Sequence, residues 1–441
     1  MEEKELLEIF DPVYRYVNKY NIFEVRSIAR AFGINAPTSV KKHDLIMRLI
    51  GVASGFSPPE KRSNKGAHVK ASDAPPEQIS SVRGLIDDCL AQMEYPMSEE
   101  PRIEFADVTK AGRLGDDGTA QGIVELGARG GRLRGPAGEA GEQDPVLSEK
   151  LVRDHGLRSG DIVGGYTAAA QGCPASLAQV VSVNGAAPLF VARPRFEECA
   201  AVYPEERLPL GAGGAALAAA DLLCPLGKGQ RAIVWAEPAS GKTRFIFAAA
   251  GAVRAALPAA ELLCLLPAFR PEEETEFCDA FPQAAVAAAA VGKPAAAFAA
   301  RAVLLAERAK RVAESGGDAV LFIDSVAALE RVFRAASPDP SLECEKIFAA
   351  GRKLRGGGSL TVIAVAPVRE GAAAVCGEDA TAQLFLERGE DGFTFDFSRS
   401  FSKRGDALLT EEERAAAEEL RAVLAAEGPA AALRRAGQLQ R

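Results

Sequence analysis

The residues best suited to chemistry are Gly241, Lys242 and Thr243, inside the segment RAIVWAEPASGKTRFIF that spans Arg231–Phe247. An apolar run ends at Ala236, a turn contains Pro238 and Gly241, and a helical pattern opens at Lys242-Thr243. In a phosphate loop of this kind, successive backbone N–H groups converge on phosphate oxygens, the lysine supplies charge to the outer phosphates, and the hydroxyl binds magnesium. Ala236 stands where the GxxxxGK[ST] pattern has its first glycine, so the regular pattern fails by one residue. The second half of such a site is an Asp that closes a buried strand and orients magnesium through water. Asp324, the last residue of VLFID (Val320–Asp324), fits that part. Together the two segments imply a nucleoside triphosphate with Mg2+ as ligand.

The elements that must hold these residues are legible in the hydrophobic pattern. From about residue 193 onward, apolar runs of buried-strand character (Ala232–Ala236, Leu262–Leu266, Ala319–Ile323 and Ser359–Val365) alternate with helical stretches such as the amphipathic Ala299–Ala313. That alternation predicts a parallel α/β ATPase domain over 193–441, closed by a helix over 410–425 that Thr410 caps. Residues 119–192 hold short strand-like runs at Gly122–Leu126, Asp161–Tyr166 and Leu177–Val183, the pattern of a small all-β barrel. The glycine-rich Gly127–Gly141 between them is expected to be a mobile loop. Residues 1–51 carry apolar residues at helical spacing, with Asn21 and Ser39 as caps, and predict a small helical N-terminal unit. The stretch 52–118 reads as a largely flexible linker with one helix over 81–93.

Composition removes other classes. The formal net charge of −8 excludes a uniformly basic nucleic-acid coat, and 48% hydrophobic with 25% charged residues is globular rather than disordered. The eight cysteines are scattered without a CxxC, and three histidines (His43, His68, His155) do not assemble a zinc site by spacing, so reduced, mostly buried thiols are expected. The acidic start MEEKELLEIFDPVYRY is unlike a signal peptide, and the Ala-rich 284–300 is broken by Lys293 and Pro294, so no membrane role and a cytoplasmic location are expected.

Five stretches in this order resemble one family, the bacterial transcription termination factor Rho, a hexameric RNA-dependent ATPase. They are PLGKGQRAIVWAEPASGKT (225–243), RPEEETEF (270–277), the run through AERAKRVAESGGDAVLFIDS that ends at Ser325, GGSLTVIA (357–364) and FDFSRSFSKRGDALLT (395–410). The family's phosphate loop also lacks its first glycine, so Ala236 agrees with it. GIVEL (122–126) and LRSGDIVGG (157–165) look like the family's OB/cold-shock-type RNA-binding barrel. The resemblance implies a RecA-like P-loop ATPase domain, ATP and Mg2+ as cofactors, and single-stranded nascent RNA and RNA polymerase as partners of a homohexamer. Carried over residue by residue, Gly227, Lys228, Gly229, Gln230, Arg231 and Ala232, with Ala239, Ser240, Gly241, Lys242, Thr243 and Arg244, would line the nucleotide. Lys242 would serve the phosphates, while Thr243 and Asp324 would hold the metal. Arg270 would sense nucleotide across a subunit interface, Arg404 would be the arginine finger, and Phe393 would pack on the adenine.

Departures from the family pattern bear on turnover and RNA grip. The family's Asp-Glu pair before RPEE, whose Glu activates water, is Ala268-Phe269 here, and a loop lysine is Ala239. Glu272 and Glu273 are nearby in sequence, and Glu237 lies in the phosphate loop itself. The RNA loop matched by Phe333–Lys346 is shorter, and the lysine of the other falls on Ala373 within 369–375. The barrel's stacking aromatics are replaced by Gly130, Arg132 and Pro174, which leaves Arg129, Arg132 and Arg134 as candidate RNA phosphate contacts. The leading expectation is an ATP-driven termination factor. The alternative is a degenerate homologue that binds ATP, and RNA or not, as a regulatory or structural ring with little hydrolysis. A rotary-ATPase-type subunit shares the ATPase fold, but the helical N-terminus and LRSGDIVGG argue against it.

Overall fold

The structure is a computed structural model that describes residues 7, 9–32, 34, 40–54, 74–92, 113–114, 118–170, 173–186, 188, 193–288, 294–367, 371–390 and 392–439. The chain divides into two compact units. One comprises Met1–Glu104, Arg153–Gly156 and Ala187–Arg193, and the other Phe105–Val152, Leu157–Ala186 and Pro194–Arg441.

The first unit holds helices α1 (Asp11–Asn18), α2 (Ile22–Ala31), α3 (Lys42–Ala53) and α4 (Pro76–Gln92). Val13 and Val17, Val25 and Ile28, Leu45 and Leu49, and Val82 and Ile86 recur at helical spacing and are buried in one cluster. Asn21 caps α2 in a capping box with Glu24. Ser39 lies outside the described residues, as does most of the stretch read as linker. Within that stretch, α4 begins at Pro76 rather than at 81, with a proline at its first position, and buries Val82 and Ile86 in the same cluster.

The second unit opens with a closed barrel of β1 (Arg113–Leu114), β2 (Thr119–Leu126), β3 (Gly131–Arg134), β4 (Val146–Leu147), α5 (Glu149–Asp154), β5 (Ile162–Ala170) and β6 (Cys173–Val183). The order β2-β3-β4-β6-β5 closes through pairing of β5 with β2. The mobile loop expected over Gly127–Gly141 contains β3, which pairs Val124 with Leu133 and buries both side chains. Glycine content misled there because Gly130 is required by geometry. Its φ is +87°, and a Cβ would lie 2.1 Å from the Leu147 carbonyl oxygen.

The remainder runs β7 (Ala201–Val202), α6 (Ala215–Leu223), β8 (Arg231–Ala236), α7 (Lys242–Ala256), β9 (Glu261–Leu266), α8 (Pro271–Ala280), β10 (Ala285–Ala288), α9 (Ala295–Glu314) and β11 (Asp318–Asp324). It continues with α10 (Val326–Phe333), α11 (Pro340–Ala349), β12 (Arg352–Leu354), β13 (Ser359–Ala366), α12 (Ala372–Asp379), β14 (Ala382–Glu387), β15 (Thr394–Phe395), β16 (Phe401–Ser402), α13 (Glu411–Glu427) and α14 (Pro429–Leu439). The sheet order is β10-β9-β11-β13-β8-β14-β15, parallel from β10 to β14. Both faces are covered, so β8, β11 and β13 are apolar at nearly every position. α9 lays Phe298, Ala302, Leu305, Ala309 and Ala313 into one core, and the small alanines let it lie close to the sheet.

The barrel is fixed to α9 by close approach and by ions. A Cβ on Gly160 would lie 2.4 Å from the Glu307 carbonyl carbon. Arg158 forms an ion pair with Glu314 at 2.7 Å, while Arg308 binds Glu261 at 2.6 Å and Asn184 at 2.8 Å. Among the described residues, no helix is long and apolar enough to cross a membrane.

Candidate nucleotide site

β8 ends at Ala236, and Glu237–Ser240 turns the chain into α7. Ala239 takes a left-handed φ of +65°, and Gly241 follows at +93° as the N-cap of α7. A Cβ on Gly241 would meet the Gly392 carbonyl oxygen at 2.3 Å, so only glycine passes beneath that loop. The first N–H groups of a 15-residue helix thus open on the site, with Lys242 and Thr243 in its first turn. Ser240 is buried, with no hydrogen-bond partner for its hydroxyl among the described residues. Glu237 is exposed, and Arg244 is exposed beside Gly392.

Asp324 closes β11, two strands from β8 in the sheet, with β13 between them. Register through Val365 sets Asp324 level with Val234, so both loops leave the same carboxyl edge, where parallel α/β sheets bind ligands. Asp324 is 4% exposed, and its Oδ1 has no hydrogen-bond partner among the described residues. Burial raises its pKa to about 6, Lys242 opposes that rise, and Glu273 adds to it. The Thr243 hydroxyl donates to Glu273 Oε1 at 3.4 Å, and the Arg270 backbone N–H donates to Glu273 Oε2 at 2.9 Å. A hydroxyl, a buried unpaired carboxylate and a second carboxylate are oxygen donors of the hard type that Mg2+ takes. The residues present therefore fit a nucleotide with Mg2+.

Phe269 contributes nothing polar here. It is 7% exposed, stacks on Phe247 with ring centroids 6.3 Å apart, and meets Phe277 edge-on. The aromatic cluster explains the residue as core, and Ala268 beside it is exposed without a carboxylate.

The structure separates the other sequence candidates from this centre. Gly227, Lys228, Gly229, Gln230, Arg231 and Ala232 precede or begin β8, about 17 Å of strand away from Ala236. They do not line the same chain's phosphate loop, because a fully extended strand lies between. Gly229 N–H donates to Thr361, Lys228 is held by Glu206 at 2.7 Å and Asp318 at 3.0 Å, and Gln230 donates to the Lys403 carbonyl. Arg404 follows at that same amino end, exposed, with φ +60° and its guanidinium 4.0 Å from the Tyr203 ring centroid. Arg270 is exposed at the start of α8, on the phosphate-loop side. Phe393 is 8% exposed and packs edge-on against Phe245 and Phe395, so its ring is core rather than a free adenine platform.

No protein-family model matches the chain. Curated relatives do match. A transcription termination factor Rho from Streptomyces coelicolor is 37% identical over 270 residues, covering 58% of this chain and 64% of that protein, a little under two thirds. The one from Streptosporangium roseum is 34% identical over 265 residues, which is 57% of this chain and 68% of its relative. The chain belongs to the transcription termination factor Rho family. A Rho from Mycobacterium bovis is 32% identical over 317 residues, 64% of this chain and 52% of that protein. Among solved structures, an ATPase from the type III secretion system of pathogenic bacteria aligns with a TM-score of 0.44 at 18% identity, covering 56% of this chain and 78% of that chain.

Within this Rho-family chain the barrel arginines are unequal. Arg134 is ion-paired with both Glu125 and Asp144, the latter at 2.6 Å, and is mostly buried. Two carboxylates already neutralise it, so its expected part in gripping RNA phosphates is corrected to a structural one. Arg132 donates weakly to the Asp144 carbonyl at 3.4 Å, and Arg129 is exposed. Gly130 admits no side chain, which explains why one stacking aromatic is absent. Half of the region read as a shortened RNA loop, Phe333–Lys346, is α11, capped by Asp339 and reached by a six-residue connection from Arg334 to Asp339. Ala373 is buried in α12, and residues 368–370 of the other RNA loop lie outside the described residues.

The buried thiols of Cys224, Cys264, Cys344 and Cys376 are free and have their pKa values pushed up by burial, which keeps them unreactive. Sequence reasoning named Glu273 only as a neighbour. Its place at the third position of a Pro-started helix next to the phosphate loop was the available signal.

Proposed function

We propose that this chain is a Rho-type transcription termination factor: a cytoplasmic, RNA-binding ATPase that assembles as a homohexamer and acts on nascent transcripts at RNA polymerase. The observation that carries the nucleotide half is Asp324 Oδ1, buried, without a hydrogen-bond partner among the described residues, and within electrostatic reach of Lys242. A buried carboxylate oxygen without a partner is costly, and a bound cation offsets that cost. Backbone N–H groups of the phosphate loop and Lys242 would hold phosphate oxygens, and Thr243 and Asp324 would hold the metal. Mg2+, when bound, neutralises charge on phosphate oxygens during transfer. The named relatives support the role in termination.

Arg404 and Gly227–Gln230 belong to this reading only through a second copy. They sit at the amino end of β8, so they reach a nucleotide only if a neighbouring subunit presents that end to the phosphate loop of the next. A head-to-tail contact of this kind closes into a ring where its rotation divides a full turn.

One observation favours a second reading. Phe269 occupies core where the family sets its water-activating Glu, and such a group is worth ~10²–10⁴ in rate. The second reading is a ring that binds ATP with little turnover. Hydrolysis by the purified chain, with and without pyrimidine-rich RNA and with Lys242→Ala as blank, decides between them. RNA-stimulated turnover above the blank, with release of transcripts from a transcribing polymerase, supports the first. ATP binding without turnover supports the second, and no ATP binding sinks both.

A further inference from the structure

We infer that Glu273 is a positioning carboxylate of the cation half of this site, an inference that rests on the nucleotide-binding reading above. A hydroxyl has one proton and two lone pairs. Thr243 points its proton at Glu273 Oε1, 3.4 Å away, which leaves its lone pairs for an approaching cation. The other carboxylate oxygen accepts the Arg270 N–H at 2.9 Å, so Glu273 is gripped at both oxygens and cannot swing freely. Pro271 starts α8 and sets Glu273 at its third position, where a capping Glu or Gln turns back on the helix start.

Glu273 also acts through space on Asp324, whose buried Oδ1 has no partner among the described residues. Two carboxylates that repel each other beside an oriented hydroxyl form an arrangement that a divalent cation relieves. Partners that orient a ligand in this way typically contribute 10–100-fold in metal affinity. Phe269 leaves this chain without a carboxylate at the position where the family has one, so the charge brought by Glu273 is the charge that the described geometry directs at Thr243.

The bland account is that Glu273 only caps α8. Glu273→Gln separates the two, because its carbonyl oxygen still accepts the Arg270 N–H and so preserves the cap, while the charge is removed and an amide donor faces Thr243 in place of an acceptor. ATP affinity is measured by calorimetry with Mg2+ and with EDTA, for the native chain, Glu273→Gln, and the exposed neighbour Glu272→Gln. The expected result is an unchanged or tighter affinity in EDTA and a ~10–100-fold smaller gain on adding Mg2+ for Glu273→Gln alone. An equal Mg2+-dependent gain in all three chains overturns the inference and leaves the nucleotide reading standing. ATP binding by the native chain that ignores Mg2+ also overturns it. Native chain that binds no ATP in either buffer refutes the nucleotide reading, and the inference with it. If Glu273→Gln melts far below the native chain, Glu273→Asp replaces it: charge kept but drawn back from Thr243 is expected to retain part of the Mg2+ gain, and full retention overturns the inference.

Discussion

Lys242 and Arg404 lie at opposite ends of the same strand. Lys242 opens α7 just beyond the carboxyl end of β8, whereas Arg404 follows Lys403, whose carbonyl accepts from Gln230 immediately before the amino end. Lys403 N–H also bonds the Thr381 carbonyl, which anchors this turn to the start of β14. About 17 Å of β8 separates the two ends, more than an arginine side chain spans. One chain therefore cannot bring Lys242 and Arg404 to the same phosphate, and in the proposed ring the two belong to different copies.

The carboxyl-end half is built at a cost to stability that pH should reveal. Asp324 has its pKa raised from 3.8 to about 6 by burial. A carboxyl whose folded pKa is raised stabilises the fold fully below its unfolded pKa, and that contribution is lost as pH rises through the folded value. The shift corresponds to about 3 kcal/mol. Asp324→Asn should therefore raise the melting temperature of the nucleotide-free chain at pH 7.5 and leave it nearly unchanged at pH 4. Equal effects at the two pH values would contradict this account. In the presence of Mg2+ and ATP the order should reverse, because the variant loses its metal ligand.

Gly241 tests the shape of the phosphate loop independently of charge. Its φ is +93°, and an added Cβ would meet backbone, the Gly392 carbonyl oxygen, at 2.3 Å. Gly241→Ala should cost about 1–2 kcal/mol from the left-handed backbone alone, and more from the contact. ATP binding should be lost while the far-UV circular dichroism stays native. Binding within a few-fold of the native chain would show that the loop relaxes more easily than its packing implies.

The joint between barrel and sheet domain rests on Glu314. Its side chain is 4% exposed, and it binds Arg158 at 2.7 Å, Arg311 at 3.2 Å and the Phe196 N–H at 2.7 Å. Removing one member of a buried pair leaves an uncompensated charge and costs about 3–5 kcal/mol. Glu314→Ala should approach that range in urea unfolding. Arg158→Ala should cost less, because Arg311 still neutralises Glu314. The reverse ranking would place the strength of the joint elsewhere.

Much of this was legible in the chain, and the exceptions share a cause. β8, β11 and β13 are continuous apolar runs, so the parallel sheet and the positions of Lys242 and Asp324 followed from pattern alone. β10 and β14 were not read. β10 is the alanine-rich Ala285–Ala288, whose composition carries no strand signal until a neighbouring strand pairs with it. Distance along a strand was not legible: Gly227–Ala232, carried over from the family as nucleotide-lining, stand a few residues before the phosphate loop in sequence, but β8 is extended and carries them to its far end. Arg134 and Phe393 were read as free because their partners meet them only once the strands fold: Glu125 and Asp144 reach Arg134 across β2–β3 and the following loop, and Phe245 reaches Phe393 from α7.

If the half-sites work as a pair, two dead chains should rescue each other. Lys242→Ala removes the phosphate-binding charge at the carboxyl end, and Arg404→Ala removes the guanidinium at the amino end, so each alone should lack turnover. In a ring made from an equal mixture, a site combines Lys242 from one subunit with Arg404 from the next. Roughly one quarter of the contacts then pair an intact Lys242 with an intact Arg404, as expected for random head-to-tail assembly. Hydrolysis should recover to about that fraction of native, provided the native chain turns over at all. If Arg404 served the site of its own chain, no mixture would restore activity, because no chain would carry both groups. Tyr203→Ala tightens the test. It strips Arg404 of the ring that holds it at 4.0 Å, so it should weaken rescue when placed on the Lys242→Ala chain, which donates the arginine, and have no effect on the Arg404→Ala chain.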